Sequence, residues 1–256
     1  MKASSHTKRF NLLPLFLALA FIASPSFAAE DTDSSWQVSA DIYFWAPKII
    51  ASTPGGADST LPFYKILDTL EMTFMGGVKA QKDRWSIATD AVYMDLSEKV
   101  NRDSNYDPAV VDITGNVGLK SWIVTPTVGY AVHDTDEARV EVIAGARYLW
   151  LESSAKVDFD DVTRFDKSAS GNYWDVVFGA RADLKLSDKW FVPLYFDIGT
   201  GDTDLTWQTY AGIGYNFGKV STIVGYRYLD FQFDDNNKVL AGMTVKGPVA
   251  ALTFKF

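Results

Sequence analysis

From residue 36 onward, apolar and polar residues alternate with a period of two, the spacing of a strand and not of a helix. Between Tyr173 and Leu186 one parity carries Trp174, Val176, Phe178, Ala180, Ala182, Leu184 and Leu186, while the other carries Asp175, Gly179, Arg181, Asp183 and Lys185. Such a segment has one apolar and one polar face. The same alternation recurs over 36–44, 70–78, 85–93, 122–132, 140–150, 190–198, 205–217, 220–228 and 248–256, which predicts ten strands. The third of these is weaker, because Val92 and Met94 fall on its polar side. Pro126, Pro193 and Pro248 each remove a ladder donor, so bulges are expected there.

The connections alternate as well. Gln81–Arg84, His133–Glu137, Ser187–Lys189 and Gly218–Lys219 are tight and polar, whereas 48–68, 97–111, 152–171 and 231–238 are long. Only Thr200–Asp204 is short where a long loop is expected. Short turns at one end, long loops at the other and an even strand count are the layout of an outer-membrane barrel. The expected fold is therefore all-β, an antiparallel up-and-down transmembrane β-barrel of about ten strands, with eight or twelve as the alternative counts. Turns should face the periplasm and loops the outside.

Upstream, Lys2, Lys8 and Arg9 precede an apolar run from Leu12 to Ala23, followed by Pro25 and Ser26-Phe27-Ala28. That order marks residues 1–28 as a cleaved export signal. The run falls short of the roughly 20 residues of a spanning helix. The barrel should then occupy residues 29–256. No Cys is present, which excludes a disulfide scaffold and a lipid-anchored cysteine. A net charge of −8 has the wrong sign for binding nucleic acid through phosphates.

Seven of the eight Trp lie on the apolar parity, near strand ends. Trp36, Trp85 and Trp190 would form one girdle, and Trp122, Trp150, Trp174 and Trp207 the other, as at the two interfaces of a bilayer. A soluble, lipocalin-like barrel would turn the apolar parity inward, but explains neither the girdles nor the alternating turn lengths. Leu252, Phe254 and Phe256 end the chain at alternate positions and resemble a C-terminal barrel-assembly signal, with the barrel-assembly machinery as partner. The stretch YWDVVFGARADLKLSDKWFVPLYFDIGTGDTDLTWQTYAGIGYNFGKVSTIVGYRYLDF, with GARYLWLE before it and GPVAALTFKF after it, resembles a family of uncharacterised Gram-negative outer-membrane β-barrel proteins often labelled porin-like. ADIYFWAPK and DAVYMDLS extend the likeness more loosely into the first half. The resemblance implies fold and location, with outer-membrane lipids and lipopolysaccharide as surroundings. It implies no substrate.

Candidate chemistry is sparse. His6 leaves with the signal, and His133 falls in a turn at the far end from the outer rim, so no His stands beside a nucleophile and no enzyme is expected, with catalysis by carboxylates alone the alternative left open. No metal or cofactor is expected: the acidic groups at Asp158, Asp160 and Asp161, at Asp202 and Asp204, and at Asp234 and Asp235 lack the spacing of a calcium loop. Gly199-Thr200-Gly201 precedes no helix. The polar parity projects Glu71, Asp90, Glu141, Asp175, Asp183 and Asp197 into the lumen with Lys79, Arg147, Arg181, Lys185, Arg227 and Lys255. Such a lining suits either a narrow passive channel for small polar solutes or a filled, non-conducting barrel acting through its loops. For a channel, the constriction candidates are Arg147, Arg181 and Arg227 opposite Asp175 and Asp197. An apolar interior is not expected from this parity.

Overall fold

The computed structural model describes residues 35–52, 58–61, 66, 70–106, 109–159, 162–234 and 241–256. The expected export signal lies outside them. The strands are β1 (Gln37–Trp45), β2 (Lys48–Ser52), β3 (Asp58–Leu61), β4 (Leu70–Lys82), β5 (Trp85–Tyr106), β6 (Ala109–Asp134), β7 (Ala138–Phe159), β8 (Val162–Lys185), β9 (Trp190–Gly201), β10 (Leu205–Asn216), β11 (Val220–Gln232) and β12 (Gly242–Lys255). From β4 to β12 each strand pairs antiparallel with the next, and β1 pairs with both β4 and β12, which closes the sheet into a barrel.

The barrel nevertheless has ten wall strands, as the alternation predicts, because β1 and β2 are two parts of one. Trp45 lies opposite Val249 and Lys48 opposite Lys246, so one register against β12 runs through both. The break between them is Ala46–Pro47, where Pro47 has no amide hydrogen to give. Ala46 N still donates to Pro248 O at 2.9 Å. A Cβ on Gly247 would overlap Ala46 O, so only glycine allows this approach. β3 folds back onto β2 and is the strand outside the ring.

Two expectations about the connections are corrected. Residues 97–111 and 152–171 were expected as loops, yet they largely continue β5, β6, β7 and β8, which reach 22, 26, 22 and 24 residues. Their neighbours stop earlier, at the rows Leu70–Leu96 and Asp175–Gly201, so beyond the rim these four strands run on alone as a projecting sheet. The prolines also do not bulge. Pro126, Pro193 and Pro248 stay in register opposite Thr89, Asp183 and Tyr226, because each turns its missing donor toward the other neighbour, where the ladder skips. A bulge falls instead between Ala131 and His133.

The outward face is apolar: Ile42, Phe178 and Val224 are each about 60 % exposed, while Arg147 and Asp197 on the opposite parity are fully buried. This is the reverse of a soluble barrel. An apolar belt around a closed ladder is what a bilayer demands of strands, since every wall amide must be paired within the wall.

Candidate functional site

The candidate site is the lumen, which divides into two unlike halves. Toward the tight turns it is polar. Lys79, Arg139 and Arg181 converge on Glu141, which accepts from Lys79 Nζ at 3.2 Å, Arg139 Nε at 2.8 Å and Arg181 Nη1 at 3.2 Å. Ser86 Oγ donates to the same carboxylate at 3.1 Å. Glu141 is 1 % exposed, so only this many donors make its burial as an anion tenable. Arg181 also donates to Thr127 Oγ1 and lies over the Tyr195 ring.

A second cluster sits deeper. Arg227 donates to Asp90 Oδ1 and to Gln208 Oε1, both at 2.7 Å, and to Tyr43 Oη at 2.8 Å, while Tyr43 Oη donates to Asp90 Oδ2 at 2.6 Å. Its guanidinium stands 4.8 Å from the Trp45 ring. The third cluster is Arg147, which bridges from β7 to Asp197 on β9 at 2.5 Å and to Thr206 on β10 at 2.9 Å. Tyr195 Oη donates to Asp197 at 2.6 Å.

Sequence reading therefore placed Arg147, Arg181, Arg227, Asp175 and Asp197 inside, but the five do not meet as one constriction. Arg147 and Asp197 form a pair. Asp175 lies opposite Arg147 in register but takes the Thr203 amide instead, at 2.9 Å. Arg181 and Arg227 belong to the other two clusters. Glu141, the hub, was projected inward but not singled out, and Arg139 and Tyr43 were missed. The available signal was their position on the inward parity within the turn half.

The first two clusters line a vestibule of about 860 Å³. Lys185, Lys189 and Lys255 lie at its mouth near the turns, and Tyr43, Arg227, Gln208 and Val249 line its deep end. His133 lies outside it, exposed on the last residues of β6 and not in the turn proper.

Toward the long connections the lumen is apolar, which corrects the expectation of a wholly polar interior. Trp45, Ile49, Ile66, Met75, Val92, Met94, Leu96, Ile123, Leu149, Leu151, Leu229, Phe231, Phe233, Met243, Val245 and Val249 form one buried cluster. The reason lies in single rows: Val92, Ile123, Leu149 and Tyr173 are successive partners across β5 to β8, all on the inward parity. Val92 and Met94, read from sequence as flaws in alternation, are part of this layer.

On the outer wall the tryptophans fall near the two rims, most of them beside a tyrosine. Trp85 packs on Tyr130 and Trp190 on Tyr215 at the turn end; Trp122 packs on Tyr93, Trp174 on Tyr148 and Trp207 on Tyr228 at the loop end. Trp36 is half exposed and Trp150 lies opposite Trp122. Leu252 is 45 % exposed and Phe256 82 %, and the Phe256 amide donates to Val38 O at 2.9 Å. Phe254 pairs with Ala40 and Val220.

No family model matches the chain, and no curated protein matches it. Among solved structures it is similar to the translocator domain of the autotransporter NalP from Neisseria meningitidis, at 14 % identity over 86 % of this chain and 88 % of that one, with a TM-score of 0.47. It is also similar to Ail, the attachment invasion locus protein of Yersinia pestis, at 10 % identity over 86 % and 98 %, TM-score 0.35. A third is OprG from Pseudomonas aeruginosa, at 10 % identity over 86 % and 95 %, TM-score 0.33. All three likenesses are remote, and strand pairing and the apolar belt carry the assignment. The chain has the fold of an outer-membrane β-barrel, ten strands in its wall, with a polar vestibule at the turn end and an apolar layer above it.

Proposed function

We propose that this protein is a non-enzymatic barrel of the Gram-negative outer membrane, exported by cleavage of residues 1–28, whose resting lumen does not pass polar solutes. Its work is then done by the membrane-facing wall and by the projecting four-stranded sheet. The observation that carries this reading is the layer above the vestibule. Trp45, Phe231, Leu229 and Val245 there are at most 1 % exposed, and a polar solute crossing them would lose its hydration without gaining partners. In this reading Leu252, Phe254 and Phe256 serve as the signal to the assembly machinery, and lipopolysaccharide surrounds the loop end.

A second reading, a gated narrow channel for small polar solutes, is favoured by the vestibule itself, which leads to Arg181 and Arg227. Arg147 with Asp197, and Asp175 beside them, would then form the next barrier. Single-channel recording of the refolded protein in planar bilayers separates the two. Silence is expected from the wild type, with openings in Trp45→Ala/Phe231→Ala, where the apolar layer is hollowed. Wild-type openings whose ion selectivity shifts in Arg181→Ala/Arg227→Ala would overturn the closed reading in favour of the channel.

A further inference from the structure

Lys48 on β2 and Lys246 on β12 are direct cross-strand partners, and both fall on the outward parity of the wall. Like charges in that position repel, their Cβ atoms being about 5 Å apart. Among the described residues neither lysine makes an ion pair. Asp230, diagonal to Lys246, is held by Thr244 Oγ1 at 2.6 Å. Lys120 gives the contrast: it also faces outward at the loop-end rim, but its ammonium meets Asp95 at 3.0 Å. The wall thus neutralises one outward lysine with a carboxylate and leaves two others side by side with no carboxylate partner among the described residues.

Their height is informative. Outward residues on the same two strands run Ile42 and Phe44 below Lys48, and Leu252, Ala250 and Pro248 below Lys246, all of them apolar. The two ammoniums stand at the loop-end border of the apolar belt, above these lipid-facing residues, with Ile50 and Thr244 as the next outward row. Beside them the Lys246 ammonium lies 5.4 Å from the Tyr228 ring, which is stacked on Trp207 at 4.6 Å. Such an aromatic pair sits at a headgroup level, apolar body toward the chains and polar edge toward water.

We propose that Lys48 and Lys246 form a binding site for the phosphate of a membrane lipid, a phosphoglycolipid or phospholipid whose acyl chains lie along Phe44, Ala250 and Leu252. The phosphate supplies the missing counter-charge, and lysine binds it as a compact point charge. The proposal rests on the membrane-embedded reading of the barrel but not on whether its lumen conducts. A free anion would satisfy the charge equally, but it gains nothing from the apolar strip below; a lipid gains from both.

The test is native mass spectrometry of the refolded, detergent-solubilised protein titrated with bis-phosphorylated lipid A, with its dephosphorylated form as control. Loss of each lysine as glutamine should weaken retention about fivefold, and Lys48→Gln/Lys246→Gln about thirtyfold, while Lys120→Gln leaves it unchanged. Lys48→Arg/Lys246→Arg should retain the lipid, which separates loss of charge from misfolding. Equal retention in Lys48→Gln/Lys246→Gln, or equal retention of the dephosphorylated lipid, overturns the proposal. Displacement by millimolar inorganic phosphate overturns the lipid source in favour of a free-anion site. Failure of the wild-type protein to insert into liposomes overturns the membrane reading beneath it, a result the other arms do not produce.

Discussion

The turn half and the loop half of the lumen are built from the same strands, on the same inward parity, with opposite chemistry. Strand β5 turns Ser86 and Asp90 inward in one half, and Val92, Met94 and Leu96 in the other. Strand β11 goes from Ser221 and Arg227 to Leu229 and Phe231, and β7 from Glu141 and Arg147 to Leu149 and Leu151. In the polar half each buried charge holds a partner, and room remains for the vestibule. In the apolar half side chains close on one another, as dispersion and water exclusion favour, and the indole N–H of Trp45 is buried among them without a partner among the described residues. Ten strands therefore do not fix whether a barrel is open. The identity of the inward residues does, row by row.

The comparison can be broken from either side. Phe231→Ala removes a fully buried ring from the apolar half, with an expected loss of about 4 kcal/mol and a gain of ion conductance in bilayers; stability is read from urea unfolding in liposomes. Arg147→Ala leaves Asp197 buried without its cation, for a loss of about 3–4 kcal/mol. Arg147→Leu/Asp197→Leu should recover most of that loss in the same assay, because the apolar pair leaves no charge uncompensated. If both variants cost the same, the pair is not what makes the boundary between the halves.

Val224→Arg, on the lipid face, is expected to cost about 2–4 kcal/mol in liposomes, and far less in a detergent whose micelle adapts to the charge. Equal loss in both would argue that the belt does not contact lipid. Glu141→Gln keeps the shape of the hub but removes the charge that three cations share, with an expected loss of about 2 kcal/mol. That loss should shrink in high salt, which screens the freed cations of the wet half. The smallest effect concerns the girdle: a double-mutant cycle on Trp85 and Tyr130 should give a coupling of about 1 kcal/mol.

Strand count, closure and the outward apolar face were legible in the chain, because a period of two with alternating turn lengths leaves few other solutions. The exposure of Trp36, Trp85, Trp122, Trp174 and Trp190 on that face follows from the same parity. What escaped was wherever alternation is not the controlling rule. The projecting sheet was read as loops because KVNRDSNY and its neighbours carry few apolar residues in sequence, yet their backbone groups pair with adjacent strands. β2 was hidden by Pro47, which reads as a break, although the register against β12 continues past it. The site residues were half legible: parity put Arg147, Arg181, Arg227, Asp175 and Asp197 inside, but parity carries no information on which charges meet across the lumen.

By itself, then, the sequence determined which side of the wall each residue faces, since a side chain's parity along a strand is a local property. Tertiary structure decided the rest. Arg147 finds Asp197 and Arg227 finds Asp90 only because closure brings distant strands within reach of long side chains. Lys48 meets Lys246 only because the first and last wall strands are neighbours. The apolar layer, too, exists only once inward residues from the whole ring share one enclosed volume.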